Sequence, residues 1–189
     1  MCIRDRDIYV CRSGMRGFRN NLLYINQGNN KFKEEAKAYG LNDNGYSVQS
    51  YFFDYDLDGD LDLYLVNHSS KFFANQEELF ALKGKPETDE ADKLYRNDGA
   101  SGGSNQIVFT EVSQEAGIRH FVFGLSASIA DWNQDGLPDI YVANDFFEPD
   151  VLYVNQGNGT FKNEIEQYLG HTSFSTVSYT HLTLPTSND

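Results

Sequence analysis

Two nine-residue segments constrain this chain more than any other feature. They read Asp54-Tyr-Asp-Leu-Asp-Gly-Asp-Leu-Asp62 and Asp131-Trp-Asn-Gln-Asp-Gly-Leu-Pro-Asp139, and they begin 77 residues apart. Each places side-chain oxygens at positions 1, 3, 5 and 9 and glycine at position 6. An EF-hand shares the first half of this pattern, but it needs a glutamate at position 12 and runs on into a helix. Position 12 here is Leu65 or Val142, inside the apolar runs Leu61-Asp-Leu-Tyr-Leu-Val66 and Ile140-Tyr-Val-Ala143. Short runs rich in Tyr, Val and Ile read as buried strands. Both segments are therefore loops between strands.

Oxygen ligands converging on one point suit a hard cation. Calcium takes six to eight of them at about 2.3–2.6 Å, and the glycine allows the sharp turn. In the first loop Asp54, Asp56, Asp58 and Asp62 would supply side-chain oxygens and Asp60 its backbone carbonyl. In the second, Asp131, Asn133, Asp135 and Asp139 would do so, with the Leu137 carbonyl. Two Ca2+ sites are expected. The alternative is a pair of Asx-rich surface turns that bind nothing.

The flanks repeat in a fixed order. Asp62-Leu-Tyr-Leu65 and Asp139-Ile-Tyr-Val142 follow the loops, and Asp7-Ile-Tyr-Val10 is a third copy without a loop before it. Next come Leu23-Tyr-Ile-Asn26, Leu94-Tyr-Arg-Asn97 and Leu152-Tyr-Val-Asn155, each with glycine two residues later (Gly28, Gly99, Gly157). Phe32, Phe109 and Phe161 follow, and the first two lead to Gly40-Leu41 and Gly117-Ile118. A small, apolar stretch then delivers the chain to the next loop. One unit thus supplies about four short strands joined by turns that admit positive φ, the pattern of propeller blades. The Leu-Tyr-x-Asn and Phe motifs read as plain strand packing.

These loops and flanks resemble FG-GAP/VCBS repeats, the blades of integrin-α-like β-propellers, and in particular the arrays of ASPIC/UnbV-type proteins. The resemblance covers about residues 7–174. It implies calcium in the inter-strand loops and a propeller that typically has seven blades.

The expected fold is all-β: a partial β-propeller of about two and a half to three four-stranded blades, with calcium loops between strands. Residues 7–53 form a partial blade lacking its loop, 54–130 a blade with an inserted loop over 68–93, and 131–176 a truncated blade. Glu77 to Lys83 of the insertion read as a short helical turn. Segments 1–6 and 177–189 carry no repeat feature and read as non-native leader and tail. The array is expected to continue into further blades of a longer parent, because an open arc leaves strand edges bare.

Net charge −13 argues against nucleic acid or an anionic membrane surface as partner. No apolar run reaches membrane-spanning length. Cys2 and Cys11 provide no disulfide framework, and the four histidines share no metal spacing. No nucleophile elbow or phosphate-binding glycine loop occurs, so no catalytic residue is expected. Loops without the position-12 glutamate should bind calcium weakly, at about 10⁻⁴–10⁻³ M, which points outside the cytoplasm. The expectation is a calcium-stabilised extracellular, cell-surface or periplasmic propeller segment that binds a protein or glycan. A fragment of a propeller enzyme acting on extracellular polysaccharide, with its catalytic groups elsewhere, is the alternative.

Overall fold

The computed structural model describes residues 6–14, 17–68, 90–100, 106–118, 123–145 and 149–170. Most of the 68–93 insertion, including its expected helical turn, lies outside these residues, as do the segments before residue 6 and after residue 170.

Three antiparallel sheets account for the described strands. Sheet one comprises β1 (Ile8–Val10), β2 (Leu22–Asn26) and β3 (Phe32–Glu34). Sheet two comprises β4 (Ser47–Phe53), β5 (Asp62–Asn67), β6 (Lys93–Ala100) and β7 (Ile107–Glu111). Sheet three comprises β8 (Gly124–Ala130), β9 (Asp139–Asn144), β10 (Val151–Asn155) and β11 (Phe161–Asn163). Strands adjacent in sequence are adjacent in each sheet, so every sheet is a meander. Among the described residues helix is confined to two short turns, α1 (Ala36–Tyr39) and α2 (Ile165–Leu169), after the last strands of sheets one and three. This is the all-β blade architecture expected of a partial propeller. Asp7, Asp62 and Asp139 hold equivalent places, so β1–β3 match the second to fourth strands of the other sheets.

Strand β5 explains how the sheets stack. Its six residues are all buried, because both of its faces meet another sheet. Side chains alternate across a strand. Tyr64 and Val66 therefore join one core with Ala127, Ile140, Val142, Tyr153 and Phe161 of the third unit. Leu63 and Leu65 point the other way, into a second core with Leu23, Ala36 and Leu41 of the first. β10 behaves alike: Val151 and Tyr153 face sheet two, while Leu152 and Val154 pack with Ile165 on the far side. Each fully buried Leu or Val contributes about 1.5–3 kcal/mol. Leu65→Ala would cost about 2–5 kcal/mol by leaving a cavity between sheets.

Close backbone approaches fasten the seams. Where β8 begins, a Cβ on Gly124 would lie 2.6 Å from Val66 Cγ1 and 3.0 Å from the Asn67 carbonyl oxygen. At the last-strand edge Gly40 ends α1 with φ +77°, and a Cβ there would lie 2.6 Å from the Phe109 carbonyl oxygen in β7. Gly117 repeats this geometry against the next sheet, with φ +77° and 2.7 Å to the Phe161 oxygen. There the Phe161 N–H also donates to the Ala116 carbonyl at 2.7 Å.

Candidate metal centre

The two acidic loops connect β4 to β5 and β8 to β9, and their backbone N–H bonds to side-chain acceptors correspond one for one. In loop one the Asp58 N–H donates to Asp54 Oδ1 (3.1 Å) and Asp56 Oδ1 (3.3 Å). The Gly59 N–H reaches Asp54 Oδ2 (3.0 Å), and the Asp60 N–H reaches Asp58 Oδ1 (2.9 Å). In loop two the Asp135 N–H donates to Asp131 Oδ1 (3.1 Å) and Asn133 Oδ1 (3.0 Å). Gly136 and Leu137 complete the set with bonds to Asp131 Oδ2 and Asp135 Oδ1, both 2.9 Å. Position 6 is left-handed in both, at φ +94° for Gly59 and +90° for Gly136. Position 4 is also left-handed, at +61° for Leu57 and +63° for Gln134. That conformation costs a non-glycine residue roughly 1–2 kcal/mol, which the network of side-chain acceptors offsets.

The result gathers oxygen donors. Ligand atoms of Asp54, Asp56 and Asp58 lie within 4.8 Å of one another on the surface. Asp60 contributes no carboxylate to this group; its side chain faces Gly99 near the end of β6. Leu137, its counterpart, lays its side chain against Gly157. Positions 1, 3 and 5 therefore fit a hard cation by donor type and proximity, and position 7 has only its backbone to offer. Burial raises the Asp56 carboxyl above the usual range, and Asp58 and Asp54 push it further.

Position 9 is different in kind. Asp62 is fully buried and takes N–H donors from Tyr55 on Oδ2 (3.1 Å) and Asn97 on Oδ1 (2.8 Å). Asp139 does the same with Trp132 (2.9 Å) and Asn155 (2.8 Å). Each carboxylate oxygen has two lone pairs, so these bonds leave acceptor capacity for a cation. Burial pushes Asp62 up to about 6, held back by the two N–H bonds and raised further by Asp56 and Asp58. Burial raises Asp139 as well. Asp7 keeps one such bond, from the Asn26 N–H at 2.7 Å.

The asparagine of Leu-Tyr-x-Asn, which sequence reasoning assigned to plain strand packing, does more. Asn26, Asn97 and Asn155 each accept the N–H of the glycine two residues on, at 2.8, 2.9 and 3.0 Å. Their side-chain amides donate back to the residue before the ninth aspartate: Arg6 (3.3 Å), Leu61 (3.3 Å) and Pro138 (3.2 Å). The motif ties the strand turn to the end of the loop. Phe161 does pack across a seam, against Tyr55 with ring centroids 6.0 Å apart, whereas Phe32 is exposed.

Three residues without an assigned motif form a second polar device. Buried Asp92 accepts the Tyr64 hydroxyl (2.8 Å) and the Asn67 N–H (2.8 Å). Asp150 accepts the Tyr141 hydroxyl (2.6 Å) and the Asn144 N–H (2.9 Å). In sheet one Asn21 accepts the Arg12 N–H (2.8 Å) but donates to the Tyr9 hydroxyl (3.1 Å), which turns to the Leu41 carbonyl (2.8 Å). Burial pushes Asp92 up to about 7 despite its two donors. A signal was present in the sequence: Asn21, Asp92 and Asp150 each stand two residues before Leu-Tyr.

Between sheets two and three a cleft of about 440 Å³ opens beside loop one, lined by Tyr55, Asp56, Asp58, Arg96, Glu115 and Asn158 among others. Arg96 is held by Asp98 at 2.8 Å. His68 follows β5 at the same seam, bridged to Phe123, with its ring against Phe123 and its Nδ1 3.2 Å from the Gly124 carbonyl oxygen. The other three histidines lie outside the described residues. Among the described residues no helix is long and apolar enough to cross a membrane.

Repeated antiparallel meanders, two of them four-stranded with an acidic loop between the first and second strands, and all stapled by the same Asp and Asn side chains, define a blade-repeat protein of the propeller type. The FG-GAP-like repeat family matches the chain over residues 4–65 and 131–181, more than half its length, and each stretch contains one acidic loop. The chain belongs to the FG-GAP-like repeat family. Comparison with curated proteins gave no match.

Proposed function

We propose that this chain is a calcium-stabilised segment of a β-propeller that works outside the cytoplasm as a binding or adhesion surface for a protein or glycan. The observation that carries the calcium reading is the convergence of Asp54, Asp56 and Asp58, whose carboxylates have ligand atoms within 4.8 Å of one another. Loop two has the same backbone scaffold around Asp131, Asn133 and Asp135. Position 9 and the position-7 carbonyls of Asp60 and Leu137 would complete each set. Calcium bound there is structural: it offsets carboxylate repulsion and stiffens the strand entry. In this reading the segment is not an enzyme, and further blades of the parent cover its open sheet edges.

Trp132 provides the test, since it sits in loop two with its N–H bonded to Asp139 and its ring 6.1 Å from Tyr141. Calcium titration should change its fluorescence saturably, at about 10⁻⁴–10⁻³ M. Asp131→Ala or Asp135→Ala should abolish the change. A flat response to several millimolar calcium in the unaltered chain would reject the metal assignment. Binding to glycan and extracellular-matrix protein arrays, with and without calcium, tests the surface role.

A further inference from the structure

We infer that Asn155 is a positioning residue coupling the two cation loops across the seam between sheets two and three. The inference rests on the calcium reading above. Asn155 is buried at the end of β10, and its side-chain amide has two acceptors. One is Pro138 O of its own loop, at 3.2 Å. The other, at 2.7 Å, is the carbonyl of Tyr55, position 2 of loop one and 100 residues distant in sequence. Its backbone N–H meanwhile donates to Oδ1 of Asp139, position 9 of loop two.

A continuous chain of hydrogen bonds results. Asp62 holds the Tyr55 N–H, the Tyr55 carbonyl holds the Asn155 amide, and Asn155 holds Asp139, which holds the Trp132 N–H. Every link is at most 3.1 Å. A cation in loop one restrains Asp62 and the Tyr55 peptide, and Asn155 passes that restraint to the ninth ligand of loop two. The ordering cost of the second site is then partly met by the first, which is positive coupling. Asn97 supplies an internal control. It makes the same local bonds in sheet two, to Leu61 O and from the Gly99 N–H.

The test uses the full 189-residue chain and Trp132 fluorescence as the reporter of loop two. Disabling loop one with Asp54→Ala plus Asp58→Ala should move the loop-two calcium midpoint at least about fivefold higher, the lower end of typical coupling. In an Asn155→Asp background, which keeps the acceptor for Gly157 but removes the amide donors, disabling loop one should no longer move that midpoint. The matching Asn97→Asp background should retain the full shift. A loop-two midpoint that stays put or tightens when loop one is disabled overturns the coupling. So does a shift that survives Asn155→Asp. If that variant does not fold, Asn155→Ser replaces it, and the loop-one arm remains decisive by itself. Absence of any calcium response in the unaltered chain overturns the calcium reading, and the coupling with it.

Discussion

Loops one and two differ in chemistry and surroundings on a shared scaffold. Position 3 is Asp56 in one and Asn133 in the other, whose amide turns onto Asp135 Oδ2 at 2.8 Å. Position 2 is Tyr55, almost fully buried against Phe161 of the following sheet, or Trp132, half-buried beside Tyr141 of its own. The backbone bonds nevertheless agree. The fold of each loop is thus set by the first, third, fifth and ninth side chains accepting N–H groups, whether the third carries a charge or not. The charge at position 3 differs between the loops, whereas the acceptor geometry does not.

The largest effects should come from the feature that the two loops share most closely. Asp62→Ala strands two buried N–H donors and Asp139→Ala one buried and one half-buried, at roughly 1–3 kcal/mol per buried donor. Urea unfolding without calcium should show comparable losses in the two variants; a large inequality would break the equivalence.

The next effect separates the sheets by their polar clamps. Asp92 has a folded value of about 7 against roughly 3.9 unfolded, so its ionised form opposes folding. The stability it contributes is complete below about pH 4 and is lost as pH rises through about 7. Asp92→Asn should therefore flatten the decline in stability between pH 5 and pH 8, as read by urea midpoints. Sheet one already uses Asn21 at this place.

Asn133→Asp gives loop two four ligating carboxylates, the number expected at positions 1, 3, 5 and 9 of loop one. Its calcium midpoint by Trp132 fluorescence should fall on the order of tenfold, since charge count tunes such sites. The smallest effects belong to Gly59→Ala and Gly136→Ala. Both positions have positive φ, but an added Cβ would meet nothing within 4 Å. Each should lower stability by about 1 kcal/mol through backbone strain alone, and by the same amount in both loops.

The loops were legible because their chemistry is local: five oxygen-bearing or glycine positions in nine residues, followed by a strand instead of a helix. The order of strands was legible because Asp-Leu-Tyr and Leu-Tyr-x-Asn-x-Gly recur. Asp92, Asp150 and Asn21 escaped notice because each is one polar letter whose partner tyrosine lies on the neighbouring strand. The asparagine staple was hidden for a related reason, since its acceptor is a backbone carbonyl and leaves no trace in composition. The tie from Asn155 to Tyr55 spans 100 residues and depends on how two sheets stack. No spacing rule reaches that far. The tightness at Gly40 and Gly117 was equally invisible, although both residues marked the ends of their units.

Those two glycines carry a consequence for how the chain is made. Gly40 closes the unit of sheet one, yet the Phe109 peptide it rests against lies 69 residues downstream; Gly117 meets Phe161, 44 residues further on. Translation delivers residues in order. The first two units thus leave the ribosome with this contact still unmade, and complete it only after the last strand of the next unit has emerged. Assembly here is a relay in which each of these two blades is finished by its successor.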